Sequence, residues 1–211
     1  AAAWSALRRA SLALEVHAPS RKVAWAYRYA AQRGHIIAIS SGVRDALIDF
    51  GVPTGRITVL HDAVDTERFR PGDRGTARIA LGLLHEKKIV LYTGHLYGWK
   101  GAHLFAEASV LFPDNAEATI VGGTDEDLVA FRRFVADRGL TRVRIVGRRP
   151  AAEIPIWLAA ADAVVVPTSG KKTIGRDFTS PLKLFEAMAS RRPVVASDLP
   201  SLREVLTDGV N

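Results

Sequence analysis

Thr179-Ser180-Pro181-Leu182-Lys183-Leu184-Phe185-Glu186-Ala187-Met188-Ala189 reads as a tight loop running directly into a helix. Ser180 suits the N-cap and Pro181 the first helical position, where its missing N–H costs nothing. Such a helix start presents unpaired backbone N–H groups at the positive end of a dipole, an arrangement that favours phosphate. Glu186 falls about two turns further along, near enough to hydrogen-bond a sugar hydroxyl beside that phosphate. Taken alone, the stretch is equally an ordinary capped helix with a solvated glutamate. A strand-like run, Pro193-Val194-Val195-Ala196-Ser197, follows at once.

Upstream, short β-branched runs alternate with amphipathic segments. Strands are expected at 12–17, 35–39, 57–60, 88–93, 118–121, 143–146, 163–166 and 194–196. Helices are expected at 20–33, 43–50, 102–112, 125–138, 151–160, 181–190 and 201–206. Gly51 and Pro53 stop the second of these. Phe69-Arg70-Pro71-Gly72-Asp73-Arg74-Gly75 is rich in breakers and charge and reads as a linker. The expected division is therefore 1–70, a linker over 71–87, and 88–211. Nearly continuous apolar strands separated by helices imply an α/β fold with parallel sheets covered on both faces. Ligands of such sheets bind outside the carboxyl ends of the strands.

Composition narrows the function classes. With 211 residues and 48% hydrophobic content, the chain can bury a real core. No apolar run approaches the ~18–20 residues of a spanning helix. The absence of cysteine excludes disulfides and thiolate metal sites and agrees with a cytoplasmic home. A net charge of +7 suits an anionic partner, whether nucleic acid, membrane surface or substrate. The basic residues are scattered in short pairs such as Arg132-Arg133 and Lys171-Lys172, with no basic tract interleaved with aromatics. A nucleic-acid groove is therefore not expected.

A second motif closes the strand expected at 88–93: Tyr92-Thr93-Gly94-His95-Leu96-Tyr97-Gly98-Trp99-Lys100-Gly101. Its glycines let the backbone turn tightly and approach a ligand. Lys100 is a flexible point cation suited to phosphate, and His95 could be a second donor. The loop matches neither the phosphate-loop nor the dinucleotide-fold glycine spacing. Read alone, it is equally a surface loop with a solvated lysine. Asp125-Glu126-Asp127 is an acid-x-acid triplet of the kind that binds metal in some sugar-transferring enzymes. Thr124 before it and the preference of acids for a first helical turn favour capping instead.

Three segments, in order, together resemble retaining glycosyltransferases of family 4, which have the GT-B fold of two Rossmann-like domains. The first runs from Ile36-Ile37-Ala38-Ile39-Ser40 through His61-Asp62-Ala63-Val64-Asp65-Thr66-Glu67-Arg68-Phe69. The second is Gly94 to Gly101, similar to the family's glycine-to-Lys-Gly loop. The third is Thr179 to Glu186 with the strand after it. The resemblance covers the chain from about Leu14 onward. It implies that 1–70 is the rear of an acceptor-side domain and 88–211 a donor-binding domain lacking its last helix. The chain would then be a fragment, inactive by itself.

The same resemblance implies roles. Lys100 would neutralise the donor diphosphate and Glu186 would bind the ribose hydroxyls. The loop amides around Thr179, Ser180 and Leu182 would hold phosphate beside Gly94 and His95, and the backbone near Gly147-Arg148 would lie against the base. His17, in Leu14-Glu15-Val16-His17, resembles a histidine placed near the transferred sugar; its plain reading is a strand-end histidine satisfied by backbone. Lys100, Glu186 and His17 are thus the expected catalytic residues.

Two departures stand out. His95 occupies a position where many members have arginine, and a neutral histidine stabilises a diphosphate less. Phe178 stands where many carry a sugar-contacting glutamate, with Asp177 one residue earlier as the candidate substitute.

The expected activity is transfer of a sugar, with retention, from a nucleotide-diphosphate sugar to a glycan, lipid or other small acceptor, with no metal and no cofactor. The alternatives are a non-catalytic nucleotide-sugar-binding module and a GT-B nucleotide-sugar epimerase. The charge is also compatible with peripheral contact with an anionic membrane at its inner face.

Overall fold

The computed structural model describes residues 11–83 and 86–210. The first ten residues of the expected 1–70 domain, residues 84 and 85 of the 71–87 stretch, and Asn211 lie outside the described residues. The chain forms two compact units. The first gathers Ala1–Asp62, Gly170–Ser180 and Asp198–Asn211, and the second Ala63–Ser169 and Pro181–Ser197.

In the first unit, strands β1 (Leu12–Val16), β2 (Gly34–Ala38) and β3 (Ile57–Val59) form a parallel sheet in the order β1-β2-β3. Helix α1 (Ala24–Arg33) follows a 3-10 turn at Arg21–Val23, and α2 (Ser41–Asp49) follows β2. Ile36 and Ala38 of β2 bury against Val43 and Leu47 of α2, the i, i+4 pair that a helix stacks on one face. Ser40 caps α2: its Oγ accepts from the Val43 amide and donates to the Asp177 carbonyl at 2.7 Å. Short helices at Thr173–Arg176 and Pro200–Arg203 also belong to this unit.

The second unit opens with α3 (Arg74–Ala80), a helix inside the stretch read as linker. Asp73 nucleates it, its carboxylate accepting from the Thr76 amide at 2.7 Å. Then come β4 (Lys88–Thr93), α4 (Ala102–Ala108), β5 (Ala116–Val121), α5 (Asp125–Asp137), β6 (Val143–Gly147), α6 (Ile154–Ala160), β7 (Ala163–Val166), α7 (Leu182–Ala189) and β8 (Val194–Ala196). The five strands are parallel in the order β6-β5-β4-β7-β8, so the chain winds outward one way and then returns to the other side of β4. This is the α/β, parallel-sheet architecture expected from the alternation, and the GT-B-like fold that the resemblance implies.

Strand β4 divides its side chains between two cores, as the two-residue pleat demands. Ile89 and Leu91 join Ala77, Trp157, Leu158 and Ala187. Tyr92 joins Ala102, Phe105, Leu128 and Phe131 on the other face. An ionic knot ties α3 to this sheet. The Asp162 carboxylate accepts from Arg78 at 2.6 Å, from Arg74 at 2.5 Å and from the Ile89 amide at 2.8 Å, while Arg78 Nε donates to the Ala160 carbonyl. Arg78 is only 3% exposed, so its charge relies on these partners. Burial pushes the Asp162 carboxyl up, but the Ile89 amide and the two arginines hold it below the usual carboxylate range.

The acid triplet is the first turn of α5. Thr124 Oγ1 accepts from the Asp127 amide and the Asp127 carboxylate accepts from the Thr124 amide, a reciprocal capping box. Two loops at the carboxyl ends of the sheet are locked together. Gly101 sits at φ 78°, and a Cβ there would lie 1.7 Å from the Pro167 carbonyl oxygen. Beside it the Ser169 amide donates to the Trp99 carbonyl at 2.8 Å. None of the described helices is long and apolar enough to cross a membrane.

Asp162→Ala removes the carboxylate that pairs with the buried Arg78 guanidinium and is expected to cost ~3–5 kcal/mol of stability, read from denaturant unfolding. Gly101→Ala, meeting both the left-handed backbone and the Pro167 carbonyl, should cost more than ~2 kcal/mol in the same assay.

Candidate active site

Helix α7 begins one residue later than the capping pattern suggested. Pro181 occupies the N-cap position, with φ −78° and ψ 108°, and no side chain caps the helix. The Ser180 hydroxyl has another donor: within the first unit it accepts from the Asp62 amide at 2.9 Å. The turn is closed instead by the Leu184 amide donating to the Pro181 carbonyl at 2.8 Å. Leu182 is exposed, and Lys183 and Leu184 point inward.

In the second unit, the expected residues Gly94, Lys100 and Glu186 are linked by a residue to which the sequence reading gave no role, Lys183. Its Nζ lies 4.0 Å from the centroid of the Tyr92 ring, and 3.8 Å from where a Cβ on Gly94 would stand. Lys183 is 9% exposed and its Nζ has no hydrogen-bond partner. Burial lowers its pKa to about 7; Lys100 pushes the same way and Glu186 opposes. Burial also lowers the Lys100 ammonium, which lies 5.2 Å over the Trp99 ring. Burial holds the Glu186 carboxyl above its ordinary value, with Arg68 and Lys183 pulling it down. Titratable groups crowded together with shifted pKa values are the usual mark of a functional site.

The surrounding loop is shaped by backbone contacts. Gly94 sits at φ 127°, and a Cβ on Gly122 would fall 2.0 Å from the Gly94 carbonyl oxygen, so two loops touch there through backbone alone. The Tyr92 hydroxyl donates to the His95 carbonyl at 2.5 Å, bracing the turn from inside. The His95 ring is exposed and stacks on Tyr97, centroids 4.9 Å apart and 2° from parallel. Gly147 ends β6 at φ 87°, its carbonyl accepting from the Gly122 amide, and Arg148 after it is exposed. A separate pocket of about 400 Å³ lies on the α3 and α6 side, lined among others by Arg144, Val146, Arg149, Glu153 and Trp157. It includes none of the expected donor residues.

The remaining expected residues belong to the first unit. The Asp177 carboxylate is taken by Arg176 at 2.9–3.1 Å, and its carbonyl by Ser40. Phe178 packs against the apolar core of this unit and Thr179 is half-buried. His17 is exposed at the end of β1 and bonds the Glu15 carboxylate rather than backbone. Glu15, His17 and Asp62 offer ligand atoms all within 4.8 Å of one another, which makes them the group among the described residues that could hold a metal ion.

Comparison with known proteins bears on the family and the fold. Residues 87–211 match the family model described as glycosyl transferases group 1, and residues 1–68 match that of glycosyltransferase family 4. The D-inositol 3-phosphate glycosyltransferase 1 of Catenulispora acidiphila is 32% identical over 92% of this chain and 48% of its own length. The D-inositol 3-phosphate glycosyltransferase of Frankia alni is 33% identical over 83% of this chain and 45% of its own. The chain thus spans about half the length of the curated relatives it matches. Among solved structures, Anabaena HepE in complex with UDP and glucose superposes on all of this chain and 59% of its own, with a TM-score of 0.80 and 25% identity. The sucrose-phosphate synthase of Thermosynechococcus elongatus shares the fold over 96% of this chain and 54% of its own, with a TM-score of 0.75 and 21% identity. With more than half of its 211 residues matched by the one family model, the chain belongs to the group 1 glycosyl transferases.

Proposed function

We propose that the protein containing this chain transfers a sugar from a nucleotide-diphosphate sugar to a hydroxyl-bearing acceptor, with retention of configuration and without a required metal. The observation that carries this reading is the gathering of Lys100 and Glu186 around Lys183, whose ammonium lies beside Gly94 at the carboxyl end of β4, where the strand order reverses. Doubly wound sheets bind nucleotides at that point. The UDP held by Anabaena HepE supports a uridine nucleotide as the donor's base.

In the reaction, the bond between the sugar's anomeric carbon and the diphosphate oxygen breaks, and the oxygen keeps the electron pair. The acceptor oxygen bonds the same carbon from the same face, and its proton passes to the departing phosphate. Negative charge grows on the diphosphate while the sugar becomes cationic. A lysine about 4 Å away, at an effective dielectric near 20, supplies on the order of 4 kcal/mol to that charge before desolvation is counted. Lys100 fills this role, and Glu186 orients the ribose by accepting from its hydroxyls.

A second reading, a module that binds nucleotide sugar without transfer, is favoured by Phe178 and Asp177. The first is packed in apolar core and the second is paired with Arg176, so neither offers a free carboxylate to the sugar. Binding of UDP-sugars by the intact protein with no glycosylated product would select this second reading.

In the intact protein, Lys100→Ala and Glu186→Ala should each lower kcat/KM for sugar transfer by at least ~10². Near-normal turnover in both would remove the assignment.

A further inference from the structure

The buried charge at Lys183 has no structural explanation. A lysine ammonium shielded from water normally has a carboxylate or a set of carbonyl partners, because unpaired burial of charge is costly. Here Nζ has no hydrogen-bond partner, and its contact is the face of Tyr92. Such a contact returns only part of the lost hydration. Its charged neighbours make matters worse on balance. Lys100 repels it, Glu186 attracts it from one turn along α7, and Glu186 is itself shared with Arg68. Tyr92, the other titratable group facing it, is held neutral by burial. The cluster is therefore three cations against one carboxylate, gathered beside a glycine loop whose own histidine has turned outward onto Tyr97.

We propose that Lys183 is a direct ligand of the donor's diphosphate, its ammonium pairing with phosphate oxygens beside Gly94 while Lys100 engages the same group. This rests on the nucleotide-sugar reading above. A diphosphate brings the negative charge that the empty cluster lacks. It also reverses the protonation balance. With the site empty, burial and Lys100 hold Lys183 near a pKa of about 7, so at pH 8 the amine is mostly neutral. Arrival of the anion raises that pKa, and the complex takes up a proton from solvent. At pH 8 UDP is already fully ionised and releases no proton of its own.

The test is calorimetric titration of the intact protein with UDP and with UMP at pH 8, in buffers of different ionisation enthalpy. The wild type should take up close to one proton on binding UDP. Lys183→Met, matched in volume and uncharged, should bind UDP at least ~30-fold more weakly and without that proton. Its affinity for UMP should fall several-fold less than its affinity for UDP. Its melting temperature without ligand should equal or exceed the wild type's, since an unpaired buried ammonium has been removed. UDP affinity in Lys183→Met within threefold of wild type, or unchanged proton uptake, would overturn the proposal and leave the nucleotide-sugar reading intact. A wild type that binds no nucleoside diphosphate would overturn both. If Lys183→Met does not fold, the wild type decides: UDP binding at pH 8 without proton uptake rejects the role of Lys183.

Discussion

A strand buried on both faces can place polar chemistry only at its ends, and β4 imposes this constraint on the second unit. Ile89 and Leu91 are committed to one core, Tyr92 to the other, and neighbours β5 and β7 occupy both edges. Whatever the unit does chemically must therefore happen where the backbone leaves the sheet, from Gly94 onward. The reversal of strand order at β4 opens the crevice there, and the start of α7 brings a lysine and a glutamate to it.

That placement explains the electrostatics. Lys100, Lys183 and Glu186 are shielded because the loop after β4 and helix α7, which carry them, close over the end of an apolar sheet, and shielding shifts all three toward their neutral forms. In water the same groups would be permanently ionised and weakly interacting. Here each is poised to gain from a charged visitor, because the low local dielectric strengthens the attraction it can offer. The contrast with Asp162 is instructive. That carboxylate is also shielded, yet two arginines and an amide satisfy it, so it serves the architecture and is already spoken for.

Much of this was readable from the chain because parallel strands have an unmistakable signature. Runs such as Ile89-Val90-Leu91 and Val164-Val165-Val166 are apolar without alternation, and the breaks between them carry helical periodicity. Boundaries blurred where helices taper into 3-10 turns, as at Ser109–Leu111 and Ala151–Glu153. Helix α3 escaped notice because Pro71, Gly72 and Gly75 suggest a loop. Its Asp73 cap is local, but the contact that holds it to the sheet, Arg78 reaching Asp162 some eighty residues later in the sequence, is tertiary and leaves no local trace. The acid triplet was legible because a capping box is entirely local. Ser180 misled for the complementary reason: a serine before a proline looks like a cap, and only the fold reveals the Asp62 amide that claims its hydroxyl. Lys183 was in plain view, three residues before Glu186 and so on its helical face. A lysine between two leucines gives no sign of pointing inward until the Tyr92 ring beneath it is known.

The bond from Ser169 to Trp99 and the close seat of Gly101 on Pro167 splice the loop after β4 to the loop after β7. Two mobile segments would each surrender freedom when a ligand settled on them. Joined in this way they have already given it up during folding. A guest arriving at Lys100 thus meets a cradle set in advance, and more of its contact energy is left to appear as affinity.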